Sequence, residues 1–268
     1  MFRPPIKANV PPGQQHRDRD VTTTTKTPAL SGIHNVRDLG GHPLAGGGST
    51  RYGAFLRGDA LRGLDSDGLR ALLDSGLRTI VDLRSHAEVA DGPNPLAGHS
   101  DIAYHHIPLY DGLATIEAMA EAHPNGFDMG LRYRAAMDSC QPALAEALGL
   151  LAQAGEGTAL FHCTAGKDRT GVIAALLLGH AGVGAEAVVA DYAMTASYGA
   201  GLIDVLRQKA LARGTDPDRA ERVLASRPET MQATLIWLDQ TYGGATSYMQ
   251  RIGVSSGDCD ALRARLAG

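Results

Sequence analysis

Short apolar strands interspersed with helices predict an α/β fold, a central, mostly parallel sheet flanked by helices, with a helix-rich C-terminal part. Two observations carry this. The stretches 77–83 (LRTIVDL) and 158–163 (TALFHC) are apolar runs of strand length, with 102–107 a further candidate. Beyond residue 169 helical patterns dominate to the end of the chain.

Taken in order, 50–56 reads as a strand leaving the turn Gly46-Gly47-Gly48, which has no following helix or Lys to make it a nucleotide loop. Segment 65–74 reads as a helix with Leu64, Leu69, Leu72 and Leu73 on one face and Gly76 just past its end. Segment 129–154 is helical, with Pro142 forcing a break or a new start. Segment 169–181 is apolar nearly all round and is therefore expected to be buried. Further helices are expected at 185–195, 201–212, 217–225, 228–242, 247–252 and 258–266. Residues 1–27, with Pro4-Pro5, Pro11-Pro12 and four consecutive threonines, read as a flexible tail, leaving 28–268 as one domain. The small residues, Gly and Pro of 113–128 suggest a lid between structured segments.

Composition excludes several classes. At 44% hydrophobic and 20% charged residues the chain is not wholly disordered, and a net charge of −4 argues against a nucleic-acid partner. Three widely spaced cysteines, Cys140, Cys163 and Cys259, do not form a disulfide framework or a paired-cysteine zinc site, and they fit a reducing compartment. His86, His99, His105 and His106 lack metal-ligand spacing, so no metal or other cofactor is expected. The longest apolar run, 172–178, is too short to span a bilayer. A cytoplasmic location is the default, with export lacking a standard signal left open; stable membrane insertion is not expected, and oligomeric state is not readable.

The chemistry concentrates in Leu160-Phe161-His162-Cys163-Thr164-Ala165-Gly166-Lys167-Asp168-Arg169-Thr170-Gly171, a strand, a tight loop and a helix N-terminus. Backbone N–H groups and the helix dipole at such a loop favour a bound dianion. The same field favours a thiolate, and a cysteine so placed can titrate at roughly 3.5–7.5. Arg169 can fork two hydrogen bonds to phosphate oxygens, in a geometry lysine cannot copy. Gly166 lets the backbone curl around the anion, and the Thr170 hydroxyl is placed to hydrogen-bond the Cys163 sulfur. Cys140 and Cys259 read as small buried hydrophobes, His162 as a supporting hydrogen-bond partner, and Tyr192 and Tyr198 as packing residues.

These residues resemble the protein tyrosine phosphatase superfamily, whose signature is His-Cys-x5-Arg-Thr. The string HCTAGKDRTG, with Asn35-Val36-Arg37-Asp38-Leu39-Gly40-Gly41, Val81-Asp82-Leu83-Arg84-Ser85 and Gln240-Thr241-Tyr242-Gly243-Gly244, is similar to one branch of it. That branch is the atypical bacterial phosphatases of the mycobacterial PtpB-like group. The resemblance runs from about Ile33 to near the chain's end and implies a phosphatase-like fold. It also implies a metal-free, two-step hydrolysis of phosphomonoesters through a phosphocysteine. By that likeness Cys163 is the nucleophile, and Arg169 with the loop residues Thr164, Ala165, Gly166, Lys167 and Asp168 holds the phosphate. Substrates of that branch include phosphotyrosine, phosphoserine or phosphothreonine, and phosphoinositides, so the implied partner is a phosphorylated protein or a phospholipid head group. Lys167 adds a cation suited to highly charged head groups.

A phenolate leaving group calls for an acid. The Trp-Pro-Asp motif that supplies it in the familiar tyrosine phosphatases is absent: the single Trp237 precedes Leu238-Asp239. Asp168, Asp82 and Asp111 remain as candidates. Asp82, at a strand end that faces a crevice in parallel sheets, ranks slightly ahead of Asp168 for the proton, and Asp111 last. Arg37-Asp38 and Arg84 read either as ion pairs bracing the loop from behind or, for Arg84, as a substrate contact. Two other classes stay open: a rhodanese-like sulfurtransferase, and a non-catalytic phosphate-binding module.

Overall fold

The computed structural model describes residues 30–123 and 127–268. The segment 1–27 lies outside the described residues, as does part of the stretch expected as a lid. Five strands form one sheet: β1 (Arg37–Asp38), β2 (Phe55–Gly58), β3 (Leu77–Asp82), β4 (Ala103–His106) and β5 (Thr158–His162). Their order is β1-β2-β5-β3-β4; β1 runs antiparallel to β2 and every other pair is parallel. The expected α/β class with a mostly parallel sheet is therefore what the chain forms.

The helices are α1 (Ser66–Asp74), α2 (His86–Asp91), α3 (Ile116–Ala122), α4 (Met129–Ser139), α5 (Gln141–Ala152), α6 (Asp168–Ala181) and α7 (Ala185–Ala193). The C-terminal part adds α8 (Thr195–Tyr198), α9 (Ala200–Ala212), α10 (Pro217–Leu224), α11 (Pro228–Tyr242), α12 (Ala245–Arg251) and α13 (Ser256–Ala267). The helix expected over 129–154 is two helices meeting at Cys140. Pro142 sits in the first turn of the second, where its missing N–H removes no intrahelical bond. The strand expected at 50–56 lies later, at β2, because Gly53 takes φ +75°, a conformation that ends any extended run. No helix among the described residues is long and apolar enough to cross a membrane.

Strand alternation divides the core in two. Leu56, Ile80 and Leu160 project to one face and pack with Leu72 of α1. Phe55, Val81 and Phe161 project to the other, against the apolar helix α6 and the helices around it. β5 lies at the centre of the sheet with α6 directly after it in sequence. The turn between them therefore emerges at the carboxyl edge of the sheet, flanked by the ends of β2 and β3.

Candidate active site

The loop leaving β5 is held by its carbonyls. Thr164 O accepts from the Ala60 amide at 3.2 Å, and Lys167 O from Gly171 N at 2.8 Å inside the first turn of α6. Ala165 O accepts from Asn35 Nδ2 at 2.8 Å, and Gly166 O from Arg57 Nη2 at 2.8 Å. A trans peptide points its N–H opposite to its C=O, so carbonyls fastened outward turn the amides of Ala165 through Asp168 to the loop's inner side. Among the described residues none of these amides has a protein acceptor. Gly166 makes the curl possible: its φ is +66°, and a Cβ there would lie 2.5 Å from the Gly58 carbonyl carbon.

Behind the loop sits a buried charge cluster. Arg37 and Arg57 are directly opposed across β1 and β2, and both pair with Asp191 of α7. Arg37 Nε reaches Asp191 at 2.9 Å and its Nη1 donates to Asn35 Oδ1, which links the cluster to the loop through Ala165. The ion pair expected around Arg37-Asp38 is thus made with Asp191, while Asp38 accepts from the amides of Gly40 and Gly53. Burial alone would raise the Asp191 pKa, but the charges of Arg57 and Arg37 hold it below the ordinary carboxylate value. Burial and the neighbouring Arg57 push Arg37 down to about 10. Two cations against one anion leave a positive surplus directly beneath the amide ring, the sign that suits a bound dianion.

Arg169, in the first turn of α6, is gripped by Glu88: Nη1 to Oε2 at 2.5 Å and Nη2 to Oε1 at 2.8 Å. Thr164 Oγ also donates to Glu88 Oε1, and the Ser85 amide donates to Oε2 at 2.8 Å. Burial would raise the Glu88 pKa, but the Arg169 contacts overcome it and hold the carboxyl well below its usual range. With both terminal nitrogens engaged on one edge, the guanidinium keeps its Nε–H and the outer Nη2–H as a side-on fork that is free among the described residues. Sequence reading missed Glu88, although Ser85-His86-Ala87-Glu88 carries the capping-box pattern that α2 uses.

Asp82 does not face this loop. It is paired in register with His162, so strand alternation puts both on the face opposite Phe161 and Cys163. There Asp82 takes Arg84 Nε at 2.9 Å, Arg84 Nη2 at 2.6 Å and the Tyr104 hydroxyl at 2.9 Å, fully buried. Desolvation acts to raise its pKa, but Arg84 and His162 prevail and lower it. Burial lowers the His162 pKa, and the tautomer that donates from Nδ1 to Cys163 O (3.2 Å) accepts at Nε2 from Asn94 (3.0 Å). Asp168 differs: its side chain is 25% exposed, and its Oδ1 accepts from the Tyr133 hydroxyl at 2.6 Å. Tyr133 in turn contacts the Tyr192 hydroxyl at 2.8 Å. Asp111 contacts His86 at 2.8 Å.

Three further placements differ from expectation or extend it. Lys167 Nζ, expected toward the ligand, turns to the carbonyls of Val223 (2.5 Å) and Ala225 (3.2 Å) and lies 3.4 Å from Asp168. Thr170 Oγ, expected on the Cys163 sulfur, has no hydrogen-bond partner among the described residues. Tyr110, which sequence reading passed over, stacks its ring against Arg132 (5.3 Å) and Arg169 (5.8 Å). Its buried hydroxyl has no partner among the described residues, and burial together with Asp168 pushes its pKa well up, so it is a neutral donor.

Known proteins are similar to this chain along most of its length. The model of the tyrosine phosphatase family matches residues 28–268. The chain is similar to a tyrosine-protein phosphatase of Nostoc commune, 34% identical over 69% of this chain and 65% of that protein, just under two thirds of its length. It is also similar to a candidate tyrosine-protein phosphatase of Cupriavidus necator, 30% identical over 83% of this chain and 82% of that protein. A third relative is the triple specificity protein phosphatase PtpB of Mycobacterium tuberculosis, 29% identical over 89% of this chain and 98% of that protein.

Proposed function

The chain belongs to the tyrosine phosphatase family, and from that premise we propose that it hydrolyses phosphotyrosine monoesters through a phosphocysteine on Cys163. What carries the reading is the loop that follows Cys163, whose carbonyls are tied outward so that its amides turn to the loop's inner side.

In the first step the Cys163 thiolate attacks phosphorus and forms the S–P bond as the P–O bond to the leaving group breaks. The loop amides and the free edge of Arg169 hold the non-bridging oxygens, where positioning and electrostatics do most of the catalysis. Asp168, partly exposed beside the loop, delivers a proton to the leaving oxygen; this reverses the order read from sequence, because Asp82 is sealed against Arg84 on the opposite face. In the second step Asp168 takes a proton from water as the water oxygen attacks phosphorus, releasing inorganic phosphate and the thiolate. Lys167 contributes its backbone amide, its ammonium being engaged elsewhere. The buried Tyr110 hydroxyl, a neutral donor with no partner among the described residues, lies on the ring that stacks on Arg169. The resemblance of the HCTAGKDRTG loop to its branch extends the proposed substrate range to phosphoserine, phosphothreonine and phosphoinositides, beside a relative named a triple specificity protein phosphatase.

The test is hydrolysis of p-nitrophenyl phosphate and a phosphotyrosine peptide, with rapid-quench mass spectrometry for one phosphoryl group on the peptide that contains Cys163. Turnover with that adduct, both lost in Cys163→Ser, is expected. Thiocyanate formation from thiosulfate and cyanide, or saturable phosphopeptide binding with no turnover, would replace it by the sulfurtransferase or the binding module.

A further inference from the structure

A groove of about 790 Å³ opens beside the catalytic loop and is lined at that end by Thr164 and Glu88. Its far wall is the hairpin of α9 and α10. The hairpin's orientation follows from one contact: Lys167 holds the carbonyls of Val223 and Ala225, so the C-terminal end of α10 lies against the loop. The connection between α9 and α10 therefore lies at the distal end. Arg219 sits about 6 Å farther along the axis than Val223, at 1.5 Å per residue, with Lys209 and Arg213 toward the same tip. Nearer the loop the wall is apolar, with Leu202, Leu206, Val223 and Leu224 facing the groove.

Within the groove's lining, charge accounting leaves a positive surplus at the distal end, while Asp216, which caps α10, and Asp218 sit at the same tip outside the lining. Glu88 is committed to Arg169, Asp91 to Arg62 at 3.0 Å, and Asp59 to the amides of His34 and Asn35. Lys209, Arg213 and Arg219 have no ion-pair partner among the described residues, and against them the groove has only Glu117 left unpaired. The volume lies in the range of ligand sites, roughly 300–1,000 Å³.

We propose that this groove is a specificity subsite for the protein segment flanking the phosphorylated residue: apolar side chains against Leu206 and Leu224, carboxylates at Lys209, Arg213 and Arg219. This rests on the phosphatase reading above. A peptide fits better than an inositol polyphosphate because the second anion must be separated from the reacting phosphate by an apolar stretch. Side chains along a chain meet that pattern; phosphates crowded on one polar ring do not.

The test compares two phosphotyrosine peptides differing only in flanking Glu versus Gln, on wild type, Lys209→Glu/Arg213→Glu and Arg219→Glu, with p-nitrophenyl phosphate as control. Wild type is expected to favour the Glu peptide in kcat/KM by roughly three- to tenfold, shrinking with salt. The charge reversals are expected to abolish or invert that preference while p-nitrophenyl phosphate turnover stays within about twofold. Equal use of both peptides by wild type, or an unchanged preference in the variants, overturns the subsite and leaves the phosphatase reading intact. Charge reversals that depress only hydrolysis of phosphoinositide vesicles overturn it in favour of a lipid surface. Wild type inert toward p-nitrophenyl phosphate overturns the phosphatase reading, and the subsite with it.

Discussion

Glu88 holds both terminal nitrogens of Arg169, at 2.5 and 2.8 Å, and so fixes the plane of the guanidinium before any phosphate arrives. The carboxylate is itself fixed by the Ser85 amide and the Thr164 hydroxyl, which ties the start of α2 to both ends of the catalytic loop. Such preorganisation matters because a small misplacement of a phosphate-binding group is felt in the transition state. Glu88→Gln preserves shape but removes the charge that orients Arg169. It is expected to lower kcat/KM roughly ten- to a hundredfold. Steady-state kinetics on p-nitrophenyl phosphate decide this, and wild-type values in the variant would show that Arg169 orients itself.

Asp168 and Asp82 separate by what their loss does. Asp168→Asn is expected to slow esters of poorly acidic phenols by roughly a hundredfold or more, and activated nitrophenyl esters far less, because only the former need the proton. Asp82→Asn is expected to leave the leaving-group dependence alone and to cost about 3–5 kcal/mol of stability, since it strands Arg84 in the core. A normal denaturation midpoint for Asp82→Asn, with slowed turnover confined to esters of poorly acidic phenols, would reverse the two roles.

What could be read from sequence was local. The segment from β5 into α6 is contiguous, so Cys163, the glycine of the curl and Arg169 could be placed from their spacing and from the apolar runs around them. The braces were not legible because each joins distant parts of the chain: Glu88 and Arg169 are 81 residues apart, Arg37 and Asp191 154. Side chains at such separations meet only when the sheet order is known. Asp82 shows the same limit. Its position at a strand end was readable, but its face depends on register with β5, and a shift of one residue would have turned it toward Cys163. β1, at two residues, leaves no periodicity to detect.

Asp191 pairs with two buried guanidiniums, Arg57 at 0% and Arg37 at 6% side-chain exposure. Asp191→Asn keeps some hydrogen bonds but leaves both cations uncompensated next to the carbonyls of Ala165 and Gly166. A loss of about 3–5 kcal/mol is expected, with a rise in KM as the loop loosens. Urea denaturation followed beside the kinetics checks it, and a variant as stable as wild type would mean the cluster is not holding the loop.

Acid should unfold this protein early, and the sign follows from the groups' environments. Burial first of all lowers the pKa of His42, His162 and His180, so the unfolded chain takes up their protons at a higher pH than the native one does. Their contribution is complete above the unfolded value of about 6.5 and is lost as pH falls below it. Glu88, Asp82 and Asp191 are also depressed in the folded state, burial being outweighed by their Arg partners, so a second and steeper loss begins below about pH 4.5. Asp59 works the other way, because burial raises its pKa, but it stands alone against three carboxylates among those named here. Urea midpoints measured from pH 7.5 to about 3 should therefore fall gently at first and then sharply, with the acidic drop reduced in Asp191→Asn. A midpoint that stays flat to about pH 3 would show that these buried pairs are not linked to folding.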